Sequence, residues 1–283
     1  MIAEIREGQL REHNMLLEAL SLVDITGSEP RIAAVGAGGK TTVLKRLAEE
    51  YLALGRQSVI ITTTHMKKEN TEKFLVDPSA KEILRVQRRE GYVIAGAEAE
   101  TAPAPAPDLE TGENVHNRGA RSEKIRALLP DVLEKVLDFG CPVLIEADGA
   151  RMLPVKIPAE HEPVFAGCET CVLAVYGLDA LGQKIRDAGF RAERMAEFLH
   201  KDVKDRLEAR DIAALALSCH GGRKGVAEDI QYRVVLNKAD TEERRRTALE
   251  VWKEMERIRG CCGMREVRTV VVGMSREMKS KNQ

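Results

Sequence analysis

Short apolar runs alternate along this chain with longer stretches whose apolar positions recur every three or four residues. Ile32-Ala33-Ala34-Val35, Val59-Ile60-Ile61, Tyr92 to Ala95, Val143-Leu144-Ile145, Val172 to Val175 and Val234-Val235-Leu236 are apolar throughout or nearly so and rich in β-branched residues. Strands buried on both faces of a parallel sheet have this pattern. Between them, Leu44, Leu47, Ala48 and Tyr51 share a helical face that Gly55 closes. Leu129, Val132, Leu133, Val136 and Leu137 do the same within 122–138, where Pro130 either kinks the helix or starts a second one and Gly140 ends it. Two helices are predicted over 191–218, the second carrying Ile212, Ala213, Leu215, Ala216 and Leu217. A further helix bears Ala248, Val251, Trp252 and Met255, and a last strand spans 267–272. Residues 1–30 are predicted to form an amphipathic helical extension, with Leu10, Met15, Leu16, Ala19 and Leu20, and then a loop through Gly27-Ser28-Glu29-Pro30. Strands alternating with helices in this way predict a three-layer α/β domain with a mostly parallel sheet, occupying 1–283 as one unit.

The junction after the first apolar run carries the clearest chemistry. Val35-Gly36-Ala37-Gly38-Gly39-Lys40-Thr41-Thr42 joins a predicted strand to a predicted helix. That is the context in which a glycine loop binds phosphate, and it makes the fold P-loop NTPase-like. Glycine lets backbone N–H groups turn toward an anion, and the helix start adds unpaired N–H groups and partial positive charge. Lys40 is placed to reach the β- and γ-phosphates, and the Thr41 hydroxyl to ligate Mg²⁺. The usual G-x-x-x-x-G-K-[ST] spacing asks for glycine where this chain has Ala34, so the loop is a compact variant, similar to the Gly-x-x-Gly-Lys-Thr loops of Mur ligases.

Three other strand ends add to it. Ser58 to Ile61 runs into Thr62-Thr63-Thr64-His65, and ligands of open α/β sheets lie at strand carboxyl ends. At least one of the hydroxyls, with Thr63 and Thr64 the nearest choices, is assigned to the nucleotide or Mg²⁺ shell. His65 fits a solvated loop and a substrate contact equally well. Val143-Leu144-Ile145-Glu146-Ala147-Asp148-Gly149 is an apolar strand ending in two acids of the Walker B kind. Period two puts Glu146 and Asp148 on one side, one to hold Mg²⁺ and the other to orient a water or a substrate. The proline-punctuated segment that follows, 150–163, carries Arg151, Lys156 and His161, which are expected to face phosphate or a second ligand. Finally, Asn237-Lys238-Ala239-Asp240 ends a late strand as the N-K-x-D element of GTPases. There the Asp carboxylate accepts two hydrogen bonds that guanine can donate and adenine cannot; the alternative is coincidence of four letters.

Composition narrows the partners. Net charge is −1 and aromatics are 4% of 283 residues, so neither bulk charge nor stacking platforms favour nucleic acid. No apolar run approaches the ~20 residues of a membrane span and no signal core stands at the start, which makes the cytoplasm the expected compartment. The six cysteines are then reduced, and Cys168-Glu169-Thr170-Cys171 lacks the second C-x-x-C of a zinc site. Its two thiols are expected to be ordinary buried ones. The 97–119 stretch, with Thr-Ala-Pro-Ala-Pro-Ala-Pro at 101–107, is too poor in apolar anchors to offset its chain entropy and is expected to be a flexible surface loop, with a lid as one role.

Taken together, the glycine loop, Thr62 to His65, Ile145 to Arg151, Pro154-Val155-Lys156, His161-Glu162-Pro163, Gly177-Leu178-Asp179-Ala180-Leu181-Gly182 and Asn237 to Asp240 resemble the YqeC-type accessory proteins of selenium-dependent molybdenum hydroxylases. The blocks span about 31–272 in order. The resemblance implies a cytoplasmic, nucleotide-dependent factor in maturation of the selenium-containing molybdenum cofactor, with a molybdenum hydroxylase or other maturation factors as partners and the molybdenum cofactor as a conceivable ligand. It leaves the reaction open among three classes: an NTPase using GTP or ATP, a kinase- or ligase-like enzyme that activates a small substrate, and a nucleotide-binding carrier.

Overall fold

In the computed structural model, which describes residues 1–23, 29–99 and 123–273, the apolar runs become one sheet. The elements in chain order are β1 (Ile2–Arg6), β2 (Gln9–Glu12), α1 (Leu16–Ala19), β3 (Arg31–Gly36), α2 (Lys40–Ala53), β4 (Ser58–Thr62), β5 (His65–Lys67), β6 (Phe74–Val76), α3 (Ala80–Glu90) and β7 (Tyr92–Glu98). They continue with β8 (Lys124–Arg126), α4 (Pro130–Leu137), β9 (Val143–Glu146), β10 (Val155–Lys156), β11 (Cys171–Gly177), α5 (Ile185–Ala188), β12 (Gly189–Phe190), α6 (Ala192–Leu199), α7 (Ala209–Leu217), β13 (Gln231–Asn237), α8 (Glu242–Cys262) and β14 (Arg268–Val272). The strand order is β2-β1-β14-β13-β11-β3-β9-β4-β7-β8-β5, with β6 also on β7. From β14 to β7 every pairing is parallel. Antiparallel pairs close both edges.

Alternation along each strand divides the core in two. Ala33, Val35, Val59, Ile61, Val172, Ala174 and Tyr176 face one side, with apolar residues of α3, α4, α6, α7 and α8. Ile32, Ala34, Ile60, Leu144, Leu173 and Val175 face the other, with α1 and α2. This is the expected three-layer α/β architecture, in which a two-residue period along a strand feeds two helical layers.

The N-terminus corrects the sequence reading. Residues 1–30 were expected to be helical, but β1 and β2 form a hairpin and helix is confined to Leu16–Ala19. Arg6 pairs with Gln9, so the turn is Glu7-Gly8, and both residues have positive φ, the conformation of a type I′ turn. Ala3 and Ile5 are buried because β1 adds to the edge of β14. The one-turn helix is held from a distance: Leu16 and Leu17 donate their N–H groups to the buried carboxylate of Glu50 in α2 at 2.9 and 2.8 Å. Likewise, 122–138 is not one helix. Lys124–Arg126 is a strand on β5 and β7, and Pro130 opens α4 at its first turn. The Ala/Pro-rich stretch 97–119 lies, from residue 100 on, outside the described residues, as does the Gly27-Ser28 loop.

Candidate functional site

The carboxyl ends of β3, β9, β4, β11 and β13 meet at the glycine loop. β3 pairs with β9 on one side and β11 on the other, which brings Ala34 opposite Glu146 and Gly36 opposite Val175. Gly36, Gly38 and Gly39 have φ of 89°, 86° and 119°. A Cβ on Gly38 would stand 2.2 Å from the Gly177 nitrogen, and one on Gly39 2.4 Å from Asn237 Nδ2. The glycines are therefore needed twice, for left-handed backbone and for contact with the neighbouring strand ends.

The loop's own amides are engaged by the protein. Gly36 N–H donates to Asp148 Oδ2 at 2.9 Å, Ala37 to the Val175 carbonyl at 2.9 Å and Gly38 to the Leu153 carbonyl at 3.1 Å. Asn237 Nδ2 donates to the Gly38 carbonyl at 2.8 Å. The first intrahelical bond of α2 is Val43 to Gly39, which leaves the N–H groups of Lys40, Thr41 and Thr42 at the helix start without intrahelical acceptors. This first turn presents open donors.

Lys40 and Thr41 face the two acids of β9. Lys40 Nζ donates to the Gly36 carbonyl at 2.7 Å and lies 2.9 Å from Asp148 Oδ1. Thr41 Oγ1 donates to Glu146 Oε2 at 2.5 Å. Burial pushes the Glu146 carboxyl above the ordinary range, and Lys40 and the Thr41 hydroxyl pull it back only in part. Thr62 is buried beside it, its hydroxyl donating to the Glu146 carbonyl and accepting from Thr64 N–H.

Lys156 has a different place from the expected one. Instead of facing open space it is 2% exposed, 3.1 Å from Asp148 Oδ2 and 2.8 Å from Glu162 Oε2. Arg191 completes the row at 2.8 Å from the same Glu162 oxygen. The row Lys40–Asp148–Lys156–Glu162–Arg191 thus alternates in sign, which is how buried charges are tolerated. Burial opposes ionisation of Glu162, but hydrogen bonds from Lys156 and Arg191 outweigh it and hold its carboxyl at about 2. That value lies below the unfolded carboxylate range, so the stabilisation is complete above about pH 4.3 and fades as pH falls toward the folded value, a contribution on the order of 3 kcal/mol. Urea denaturation from neutral pH down to about pH 2.5 should show wild type losing its advantage over Glu162→Gln across that window. An advantage that stays constant there would mean that Glu162 does not carry the linkage.

Arg151, at a positive φ of 46°, is exposed with its guanidinium 5.4 Å from the Phe190 ring, which Arg191 also faces at 4.3 Å. His161 is exposed and lines a cavity of about 380 Å³ with Thr63, Thr64 and His65. On the far side, Lys238 pairs with Asp179 at 2.7 Å, and the exposed Asp240 has Arg244 at 3.9 Å. Sequence reasoning passed over Glu162, Arg191, Asp179 and Arg126. Glu162 and Asp179 stood inside quoted motifs, but nothing local distinguished them from solvated acids. Cys171 is buried in β11, and burial raises its thiol to about 12; all six cysteines are free. Among the described residues no three His, Cys, Asp or Glu side chains form a metal-holding group, and no helix is long and apolar enough to cross a membrane.

Fold and site together define a three-layer α/β protein with a glycine loop and helix start set against an acidic strand end. The chain belongs to the YqeC family: the family's sequence model, described as YqeC protein, matches residues 32–193. It is similar to the uncharacterized protein YqeC of Escherichia coli strain K12, at 30% identity over 224 residues, covering 75% of this chain and 78% of that one.

Proposed function

We propose that this protein binds a nucleoside triphosphate with Mg²⁺ at a P-loop formed by Gly36 to Thr42, and hydrolyses it in a maturation step of the selenium-containing molybdenum cofactor. The observation that carries the nucleotide reading is the opposition of Lys40 and Thr41 to Asp148 and Glu146 across adjacent strand ends. The donor set suits Mg²⁺, which prefers one or two carboxylates completed by phosphate and water. Asp148 is held by two ammonium groups and the Gly36 amide, so Thr41 and Glu146 are the pair that would hold the cation, while Asp148 positions Lys40. Mg²⁺ would supply charge neutralisation at the phosphates. The open amides of Lys40, Thr41 and Thr42 would receive phosphate oxygens, and Lys40 would turn from Asp148 toward them. The cofactor-maturation setting, and with it a cytoplasmic location, rests on the resemblance and on YqeC family membership. A second reading, transfer of the γ-phosphate to a small substrate, is favoured by the cavity at Thr63, Thr64 and His161, which Gly149 after the acids of β9 also lines.

The base is the testable part. Asn237 braces the loop through Gly38 and Lys238 is tied to Asp179, so the exposed Asp240 carboxylate, with Arg244 at 3.9 Å, is the group assigned to guanine. Calorimetric titration of GTP, XTP and ATP with Mg²⁺ should show GTP preferred by wild type. Asp240→Asn should lose about 1.5–3 kcal/mol per charged contact, roughly 10- to 150-fold in GTP affinity, and gain for XTP. Equal ATP and GTP binding, unchanged by the substitution, would remove the guanine reading, and absence of binding by any of the three would remove the nucleotide reading altogether.

A further inference from the structure

The cavity on the β4 side of the sheet is not used by the nucleotide reading. Strand order separates the two: the N-K-x-D element ends β13, two strands from β3 through β11, whereas the cavity lies at the ends of β9 and β4 and against β5 and β8, on the opposite flank. At about 380 Å³ it is larger than one phosphate group and within the ~300–1,000 Å³ range of small-molecule sites.

Its polar lining is mostly basic or hydroxylic, with one acid. Thr63 and Thr64 come from the β4 end, His65 opens β5, Arg126 closes β8, and His161 comes from the loop after β10. Arg126 donates through Nε to the Glu98 carbonyl at 3.1 Å, which fixes its stem, and its terminal nitrogens have no partner among the described residues. The Thr64 hydroxyl is cut off from solvent and has no hydrogen-bond partner among the described residues. Glu162 is the acid in the lining, and its charge is already met by Lys156 and Arg191. A guanidinium and two imidazoles around a cavity whose acid is internally compensated suit an oxyanion.

We infer that this cavity binds a small organic molecule bearing a phosphate- or carboxylate-type oxyanion, with Arg126 and His161 on the oxyanion. Gly149, next to Asp148, also lines it, so the ligand sits beside the acids of β9. Its role as the second ligand of a nucleotide-dependent reaction rests on the proposed function; its binding does not.

Phosphonoacetate, which carries both oxyanion types, is the probe. Titrating it into the full chain with Lys40→Ala weakens the loop as a competing anion site. Binding is expected there, and adding Arg126→Ala or His161→Ala should each weaken it about tenfold or more, as loss of a charge-assisted contact does. Arg126 and His161 are exposed, and Arg126→Gln serves as the conservative check on folding. No binding to the Lys40→Ala protein, or binding that survives both further replacements, would overturn the site. MgATP and MgGTP titrated separately into Arg126→Ala should match wild type within about twofold. If wild type binds neither nucleotide, the nucleotide reading fails while the phosphonoacetate result still decides the cavity. If Arg126→Ala loses nucleotide as well as phosphonoacetate, the cavity is part of the nucleotide site and the inference is wrong.

Discussion

Lys156→Ala should lower the stability of the fold by about 3 kcal/mol, toward the lower end of the 3–5 kcal/mol typical of breaking a buried ion pair. The side chain is almost wholly buried, and its ammonium touches two carboxylates at 3.1 and 2.8 Å as well as the Gly149 carbonyl at 2.7 Å. Removing it leaves both acids out of water with one partner fewer. The cost stays near the lower bound because each acid keeps a cation, Lys40 for Asp148 and Arg191 for Glu162. Lys156→Met restores most of the stem's packing but none of the charge, so it should recover only a small part of the loss. Guanidinium or urea denaturation of the three proteins measures this directly. An unfolding free energy for Lys156→Ala within about 0.5 kcal/mol of wild type, on the scale where surface changes fall, would show that the row of charges is not coupled as described.

Lys40→Ala should weaken triphosphate binding by roughly tenfold, toward the lower end of the 10- to 150-fold that a lost charge-assisted contact gives. The reason for the lower end is in the free protein. Lys40 already lies 2.9 Å from Asp148 and bonds the Gly36 carbonyl, so binding phosphate exchanges one ionic partner for another. Lys156 and the Gly36 amide stay on Asp148 when Lys40 is gone, so the variant should fold. Titration of MgATP and MgGTP into wild type and variant gives the ratio. Equal affinities would remove Lys40 from the phosphate site.

The parts of the site legible in the chain were those in which one local pattern carries both structure and chemistry. A glycine loop followed by Lys40-Thr41 lies at a strand-to-helix junction, and the structure has that junction. Glu146 and Asp148 end a strand with period two, and both reach the loop. Helix α3 was missed although Ser79 and Glu82 form a capping box and a strand follows it, because only Ile83, Val86 and the polar Gln87 of its eleven residues are buried and the strand before it, β6, is three residues long. The N-terminal error has a physical cause: Leu10, Met15, Leu16, Ala19 and Leu20 match a helical stripe, but an open sheet edge at β14 supplies ladder hydrogen bonds that an isolated helix cannot match.

The chain alone determined the layered α/β class and the two halves of the candidate phosphate site, because burial on both faces and the loop chemistry each leave a short-range signature. Only the tertiary structure decided which charges are free. Lys156 and His161 stand five residues apart in one loop, and nothing in that spacing tells them apart. The fold turns Lys156 inward between Asp148 and Glu162 and leaves His161 on the cavity with Arg126, which arrives from another strand. Pairing of this kind depends on distance in space, and Coulomb interaction in a low-dielectric interior is strong enough to set the partner wherever the backbone brings opposite charges within reach.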